Sequence, residues 1–498
     1  MEALMKKTSF DNLAYVEKQT EKILQRINNF NDKLYLEFGG KMFDDMHAAR
    51  VLPGYDPNNK IKILQKLKDI SEIIVCVNAG DITRNKMRAD HGITYASETL
   101  SLIDQLRAAG LTVSGIVITL YEKQPAADGF RKKLTRRGEK VYLHYRTEGY
   151  PVDVDTIVSE KGYGKNEFVP TERSLVIVTA PGPGSGKLAT CLSQMYHEYK
   201  RGKTAGYAKF ETFPVWNLPL KHPINIAYEA ATADLLDVNM IDHFHLAAYG
   251  EMAVNYNRDL ETFPVVNNIL TRILGKELYR SPTDMGVNMI ASGIADDEGC
   301  SEAAKQEVIR RYYKTQVDYK RGTATQEAID QIQLLMNQLG VNKMMRKCVP
   351  VALEYAAKKG CPSFIIELPD GEIVSGKQAT LMTAESSCIL NAVKHLAGID
   401  ETVKLLPPQV IEPILYFNEN ICQHSSAMMT LDQTLVALTV STAYSEISKR
   451  AWEMLPLLKI CKAHASYIVQ PQNEASLRKL GIDYTSEPVF ITDKLFNV

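Results

Sequence analysis

Leu175-Val176-Ile177-Val178-Thr179-Ala180-Pro181-Gly182-Pro183-Gly184-Ser185-Gly186-Lys187 decides how this chain is read. The apolar run predicts a buried strand, and the proline and glycine residues behind it predict a tight turn ahead of a helix. Strand, glycine turn and helix in that order leave backbone N–H groups unpaired at the positive end of the helix dipole. Lys187 then stands where an ammonium meets polyphosphate oxygens. Gly182, Gly184, Ser185, Gly186 and Lys187 are therefore the candidate phosphate-binding residues.

The fit to the phosphate-loop pattern GxxxxGK[ST] is partial. Pro181 occupies the place of the first glycine, Gly182 makes the loop one residue short, and Leu188 stands where a hydroxyl would bind Mg²⁺. Thr190, one helical turn after Lys187, is the candidate for a displaced hydroxyl ligand. The alternative is a glycine turn that serves only close helix packing. A second segment, Ser375-Gly376-Lys377-Gln378-Ala379-Thr380, repeats Ser185 to Thr190 with a single difference. It adds Ser375, Gly376 and Lys377 as candidates on a second lysine-bearing helix N-terminus, which would face the first across a polyanion or serve a separate anion. Coincidence is the competing explanation.

Outward from the glycine turn, helical patterns near 11–30, 60–69 and 95–109 alternate with apolar strand patterns near 34–38, 73–77, 115–120 and 174–180. Continuous apolar strands separated by helices predict an α/β fold, a mostly parallel sheet flanked by helices, with ligands gathering beyond the C-terminal strand ends. Asn78, Gly80 and Asp81 belong to that edge, Asp81 as a metal or ribose ligand or simply as a turn residue. Arg131, Lys132, Lys133, Arg136 and Arg137 read as a solvated face or as a flap over phosphates, and Gly162 to Asn166 as a lid or a connection. Residues 1–299 are expected to form this N-terminal domain, 300–347 a helical insert, and 348–498 a smaller C-terminal α+β domain. That last part holds a strand at 364–368, a hairpin turn at Pro369-Asp370-Gly371, a return strand, a helix near 378–397 and another covering 427–463.

Longer strings carry a resemblance. TAPGPGSGKLATCLSQMYHEYKRG, KFETFPVWNLPLKHPINIAYEAATADLLDVNMIDHFHLAAYG, VNYNRDLETFPV and YRSPTDMGVN resemble the bacterial family known as domain of unknown function 1846, or uncharacterised protein family 0371. The resemblance covers nearly the whole chain and implies a cytoplasmic bacterial protein of this length. It supplies no reaction.

The 58 basic and 59 acidic side chains leave a net charge of -1, so no global field favours nucleic acid or anionic membrane, and any anion site must be local. Eight dispersed cysteines, with no C-x-x-C pair, read as reduced thiols, and Cys76 and Cys191 as core residues. MEALMKKTSF lacks the apolar stretch of a signal peptide, and no run approaches the ~18 apolar residues of a membrane span. A cytoplasmic protein is expected.

Between 208 and 262, Glu211, Asp234, Asp237, Asp242, His243 and His245 crowd together, as metal ligands or as loop and cap residues. Polar turns at Asn255 to Asp259 and Ser281 to Gly286 are rich enough to shape a pocket. The residues together predict an enzyme of phosphoryl or nucleotidyl transfer acting on a small polar molecule, with ATP or GTP and Mg²⁺ as cofactors. Lys187 would neutralise transferring charge, and Asp242 or Glu211 would act as base or metal ligand. Two alternatives stand beside it: a non-catalytic sensor of a nucleotide or phosphorylated metabolite, and a phosphosugar enzyme whose loop only anchors substrate. A small phosphorylated ligand is the expected partner, without nucleic acid or membrane. No segment specifies an oligomer interface, and a homo-oligomer stays open.

Overall fold

The computed structural model describes residues 8–492 apart from 31, 88–91 and 424–425. The opening Met1 to Lys7, part of the stretch read above as no signal peptide, lies outside the described residues. The chain divides into two compact units, one of Thr8–Glu229 with Asp237–Ser301, the other of Ala230–Leu236 with the chain from Glu302 onward. Among the described residues no helix is long and apolar enough to cross a membrane.

In the first unit the strands are β1 (Lys33–Phe38), β2 (Ser71–Asn78), β3 (Val113–Thr119), β4 (Val141–Leu143), β5 (Leu175–Thr179), β6 (Ala205–Phe210), β7 (Asn239–Ile241), β8 (Val254–Tyr256) and β9 (Gly286–Val287). Seven of them form one sheet in the order β4-β3-β2-β5-β1-β6-β9, parallel at every pairing, while β7 and β8 make a separate antiparallel ribbon. The predicted α/β fold with a parallel sheet is thus observed. Strand β6, Ala205–Phe210, carries little hydrophobic signal in its alanines and glycine.

One sheet face buries Tyr35, Cys76, Val176, Val178 and Tyr207 beneath the helices Lys187–Lys200 and Asn257–Leu274, which contribute Cys191, Leu192, Met195, Phe263 and Val266. Each such large side chain withdrawn from water contributes ~1.5–3 kcal/mol. Polar groups fix the first helix as well. Lys33 Nζ donates to Glu198 Oε1 at 2.9 Å, to Thr171 Oγ1 at 2.7 Å and to the Thr171 carbonyl at 2.8 Å, and the Tyr35 hydroxyl donates to the same Glu198 oxygen at 3.0 Å. The network clamps the C-terminal part of helix Lys187–Lys200 to the start of β1, which sets where its N-terminus falls.

The second unit carries β10 (Ser363–Glu367), β11 (Ile373–Lys377), β12 (Lys462–Ala465) and β13 (Asp483–Ser486) in the order β11-β10-β12-β13, with only β12 and β13 parallel. The expected hairpin is present, its turn closed by Gly371 N donating to the Leu368 carbonyl at 2.9 Å. The long helix expected over 427–463 is not. The chain makes helices Leu431–Ser441 and Glu446–Trp452, a short turn at Leu455–Leu458, and then β12. Ser445, capping the second helix through the backbone N–H of Ser448, interrupts the period.

Candidate functional site

Adjacent strands β2 and β5 send the chain in opposite directions, β2 toward β3 and β5 across β1 toward β6. Such a switch opens a crevice beyond the C-terminal strand ends. The glycine turn occupies it. Gly186 caps helix Lys187–Lys200 in the left-handed region at φ 78°, and a Cβ there would fall 2.9 Å from the Thr119 side chain. The Thr119 hydroxyl donates to the Ser185 carbonyl at 2.9 Å, Asn78 Nδ2 to the Gly184 carbonyl at 3.1 Å, and Ser185 Oγ to the Gly182 carbonyl at 2.9 Å. The loop's carbonyls are therefore held by β2, β3 and the loop itself. Among the described residues its backbone N–H groups from Gly184 to Ala189 meet no acceptor, and Lys187 forms no ion pair or hydrogen bond.

Thr190 does not share that side of the helix. It is buried, 3.4 Å from Cys76 Sγ and 3.4 Å from His144 Nδ1, so the displaced hydroxyl ligand expected beside Lys187 is turned into the core. Burial lowers His144 to about 4 and pushes Cys76 up to about 12, which makes both neutral packing groups.

A charged cluster outside the glycine turn lies on the same sheet face. Glu37 follows Tyr35 by two residues and Lys209 follows Tyr207 by two, so both project on the face that carries helix Lys187–Lys200, and the two are register partners across β1 and β6. Lys209 Nζ is 2.9 Å from Glu211 Oε1 and is hydrogen-bonded to Asp259, in the first turn of helix Asn257–Leu274; the Tyr207 hydroxyl donates to Glu37 at 2.9 Å. Burial opposes the charge on Lys209, but Asp259, Glu211 and Glu37 outweigh it and hold the ammonium well above its ordinary range. Burial, aided by Asp259, raises the Glu211 carboxyl against the pull of Lys209. Glu37 of this cluster and Lys187 of the glycine turn both act on the Cys191 thiol between them. That thiol, raised first by burial, is pushed further up by Glu37 and drawn down by Lys187. The available signal was a charge inside each mostly apolar strand, Glu37 in β1, which also opens on Lys33, and Lys209 in β6.

The other candidates fall elsewhere. Asp242 has no exposed surface and caps helix His243–Tyr249, accepting from His245 N at 3.0 Å, Thr283 Oγ1 at 2.6 Å and Thr283 N at 3.2 Å. A carboxylate so fully occupied is a structural cap, not the base or metal ligand expected of it. Asp242→Ala should cost about 2 kcal/mol, a lost cap plus an orphaned buried hydroxyl, and leave ligand binding intact; a denaturation midpoint read beside a binding curve checks this. His245 Nδ1 pairs with Ser281 Oγ at 3.0 Å, and among the described residues no group of three His, Cys, Asp or Glu side chains could hold a metal. Arg131 to Arg136 lie on the helix Pro125–Arg136 as a solvated face.

The second lysine motif is corrected. Ser375, Gly376 and Lys377 end strand β11, and helix Ala384–Leu396 begins only seven residues later, so Lys377 sits on no helix N-terminus. Gly376 is needed for packing, since a Cβ there would fall 2.2 Å from the backbone nitrogen of Cys388. The motif lies in the other unit from the glycine turn.

The family models also divide the chain in two, but between 340 and 344, later than the boundary of the compact units at Ser301 and Glu302. The family model described as domain of unknown function DUF1846, N-terminal, matches residues 8–340, and its C-terminal counterpart matches 344–496. A UPF0371 protein of Clostridium botulinum strain Alaska E43 (type E3) is 52% identical over 499 residues, covering 98% of this chain and 99% of the relative. One from strain Langeland (type F) is 52% identical over 496 residues, with 98% and 99% covered.

Proposed function

The chain belongs to the DUF1846 family, and we propose that its parallel sheet binds a small phosphorylated molecule at the glycine turn and acts on it with Lys209 and Glu211. The observation that carries the reading is the run of unpartnered N–H groups from Gly184 to Ala189, with an unpaired Lys187, at the start of the helix whose sheet face also carries the half-buried lysine and carboxylate cluster. Unpaired N–H groups at a helix start and an ammonium are the chemistry that recognises a phosphate dianion. Lys209, held charged, would stabilise negative charge developing next to the phosphate, and Glu211, its proton affinity raised, would carry a proton to or from that position. Anchoring of substrate phosphate is favoured over transfer from ATP or GTP with Mg²⁺, because the hydroxyl needed beside Lys187 is absent at Leu188 and Thr190 is turned into the core.

A melting-temperature screen of phosphosugars, nucleotides with and without Mg²⁺, and nucleotide sugars tests the reading, since a ligand of the native state raises the transition by mass action. Lys187→Ala should weaken the responding ligand roughly 10- to 100-fold, the worth of one charge-assisted hydrogen bond. Glu211→Gln should leave that affinity within about threefold while abolishing turnover. An affinity indifferent to Lys187 removes the turn from the site, and a response only to a nucleotide with Mg²⁺ returns the transferase reading.

A further inference from the structure

The second unit presents an apolar face to solvent. Helix Pro408–Tyr416 runs on into the π-helical turn Phe417–Ile421, and helix Leu431–Ser441 packs beside them. Asn418 and Gln433 fix that contact by exchanging amide hydrogen bonds, Asn418 Nδ2 donating to Gln433 Oε1 at 3.0 Å and Gln433 Nε2 to Asn418 Oδ1 at 2.7 Å. Tyr416, Phe417 and Ile421 on one side of this pair, and Val436, Val440 and Tyr444 on the other, each keep 45–66% exposure. The inner side of helix Leu431–Ser441 already packs on the core, through Leu431, Ala437 and Leu438. A surface helix is ordinarily polar outside, yet this one has Asp432 as its single charged residue. Taking about 150–250 Å² for a whole side chain of this size, the six expose roughly 600 Å², most of the ~800 Å² that each partner gives a stable interface, before any polar rim is counted.

The order of groups along the helix fits a second copy of the chain. Asp432, Val436, Val440 and Tyr444 recur at four-residue spacing and form one stripe about 18 Å long. The backbone keeps its helical turn as far as Tyr444, whose N–H donates to the Ser441 carbonyl at 3.0 Å, followed by Ser445 N to the same carbonyl at 3.1 Å. The two ends of the stripe are thus an acceptor and a donor. Neither the Asp432 carboxylate nor the Tyr444 hydroxyl is paired with another side chain among the described residues. A copy laid antiparallel sets Val436 against the partner's Val440, and the Asp432 carboxylate against the partner's Tyr444 hydroxyl, twice over. Charge points the same way. Glu419 and Asp432 make the end near the Asn418–Gln433 pair acidic, whereas helix Glu446–Trp452, tied to the other end by Trp452 Nε1 donating to Thr439 Oγ1 at 3.1 Å, carries Lys449 and Arg450 against one Glu446. Antiparallel pairing joins unlike ends, and parallel pairing would join like ones.

We propose that this face binds the same face of a second copy of the chain across a two-fold axis passing near Leu438, which makes an isologous dimer. The valines and aromatic rings leave water together, and each Tyr444 hydroxyl donates to the Asp432 carboxylate of the other copy.

Sedimentation equilibrium of the full chain at micromolar concentration tests the dimer. Val440→Glu, at an exposed position where folding tolerates change, buries an unpaired carboxylate twice and should weaken the association at least 100-fold with an unchanged circular-dichroism melting curve. The pairing is read by disulfide trapping in a Cys422→Ser background, which removes the exposed native thiol and serves as the control. Asp432→Cys combined with Tyr444→Cys should give a covalent dimer under oxidised glutathione. Asp432→Cys alone should not, because the two copies' positions 432 stand about 18 Å apart, and the combined variant cannot bridge within one chain for the same reason. A monomeric parent overturns the proposal and leaves the face to another protein or to lipid, as does a dimer indifferent to Val440→Glu. No cross-link in the combined variant, or an equal one in Asp432→Cys alone, overturns it as well.

Discussion

Lys33→Met should destabilise the first unit by about 3–5 kcal/mol, the cost of leaving a buried partner charge alone. Lys33 and Glu198 keep only 4% and 2% side-chain exposure, and all three ammonium hydrogens are spent, on Glu198 and on two Thr171 oxygens. Methionine matches the stem of lysine, so packing is largely kept and the loss reports the ammonium. Glu198 would then hold its charge against the Tyr35 hydroxyl alone. At roughly 2–4 °C per kcal/mol for a unit of this size, the melting temperature should fall by at least 6 °C. Glu198→Gln added to Lys33→Met removes the stranded charge and should recover part of the loss, a non-additivity that a double-mutant cycle measures directly. A drop below 1 kcal/mol would mean that water reaches Glu198 and that the pair does not clamp the helix. Since the clamp sets the position of helix Lys187–Lys200, phosphate-ligand affinity should weaken with it.

Gly376→Ala should be nearly as damaging, although the residue belongs to a motif that looked like a ligand site. A Cβ at 376 would fall 2.2 Å from Cys388 N and 2.4 Å from the Ala384 carbonyl, both backbone atoms of helix Ala384–Leu396. Backbone cannot swing aside as a side chain does, so strand β11 and the helix must separate, at a cost near the upper end of the ~1–3 kcal/mol of overpacking. The accompanying Lys377→Ala should be silent, because Lys377 is exposed at the strand end with no helix dipole behind it. Calorimetric unfolding of the two variants checks the contrast. A stable Gly376→Ala together with a ligand-affinity loss in Lys377→Ala would restore the binding interpretation.

How much was legible follows from where each signal resides. Strands β1, β2, β3 and β5 announce themselves because a strand covered on both faces is apolar throughout, and such runs separated by helical periods admit few architectures. The glycine turn was legible for a related reason, since Gly186 is needed where φ is positive and Thr119 approaches closely. Asp242 misled because a capping aspartate and a catalytic one are the same letter; only the Thr283 and His245 contacts separate them. The two SGK segments misled for the same reason, one glycine serving a turn and the other a strand packed against a helix.

Local chemistry alone accounts for the elements of the sheet and for the turn at its edge, because apolar run length, helical period and glycine placement act over a few neighbouring residues. The grouping of Glu37, Lys209, Glu211 and Asp259 joins positions far apart in the chain. No pattern of neighbours encodes such meetings. They arise when strand order, register and helix packing are chosen together, and with them the burial that makes a charge costly and therefore informative.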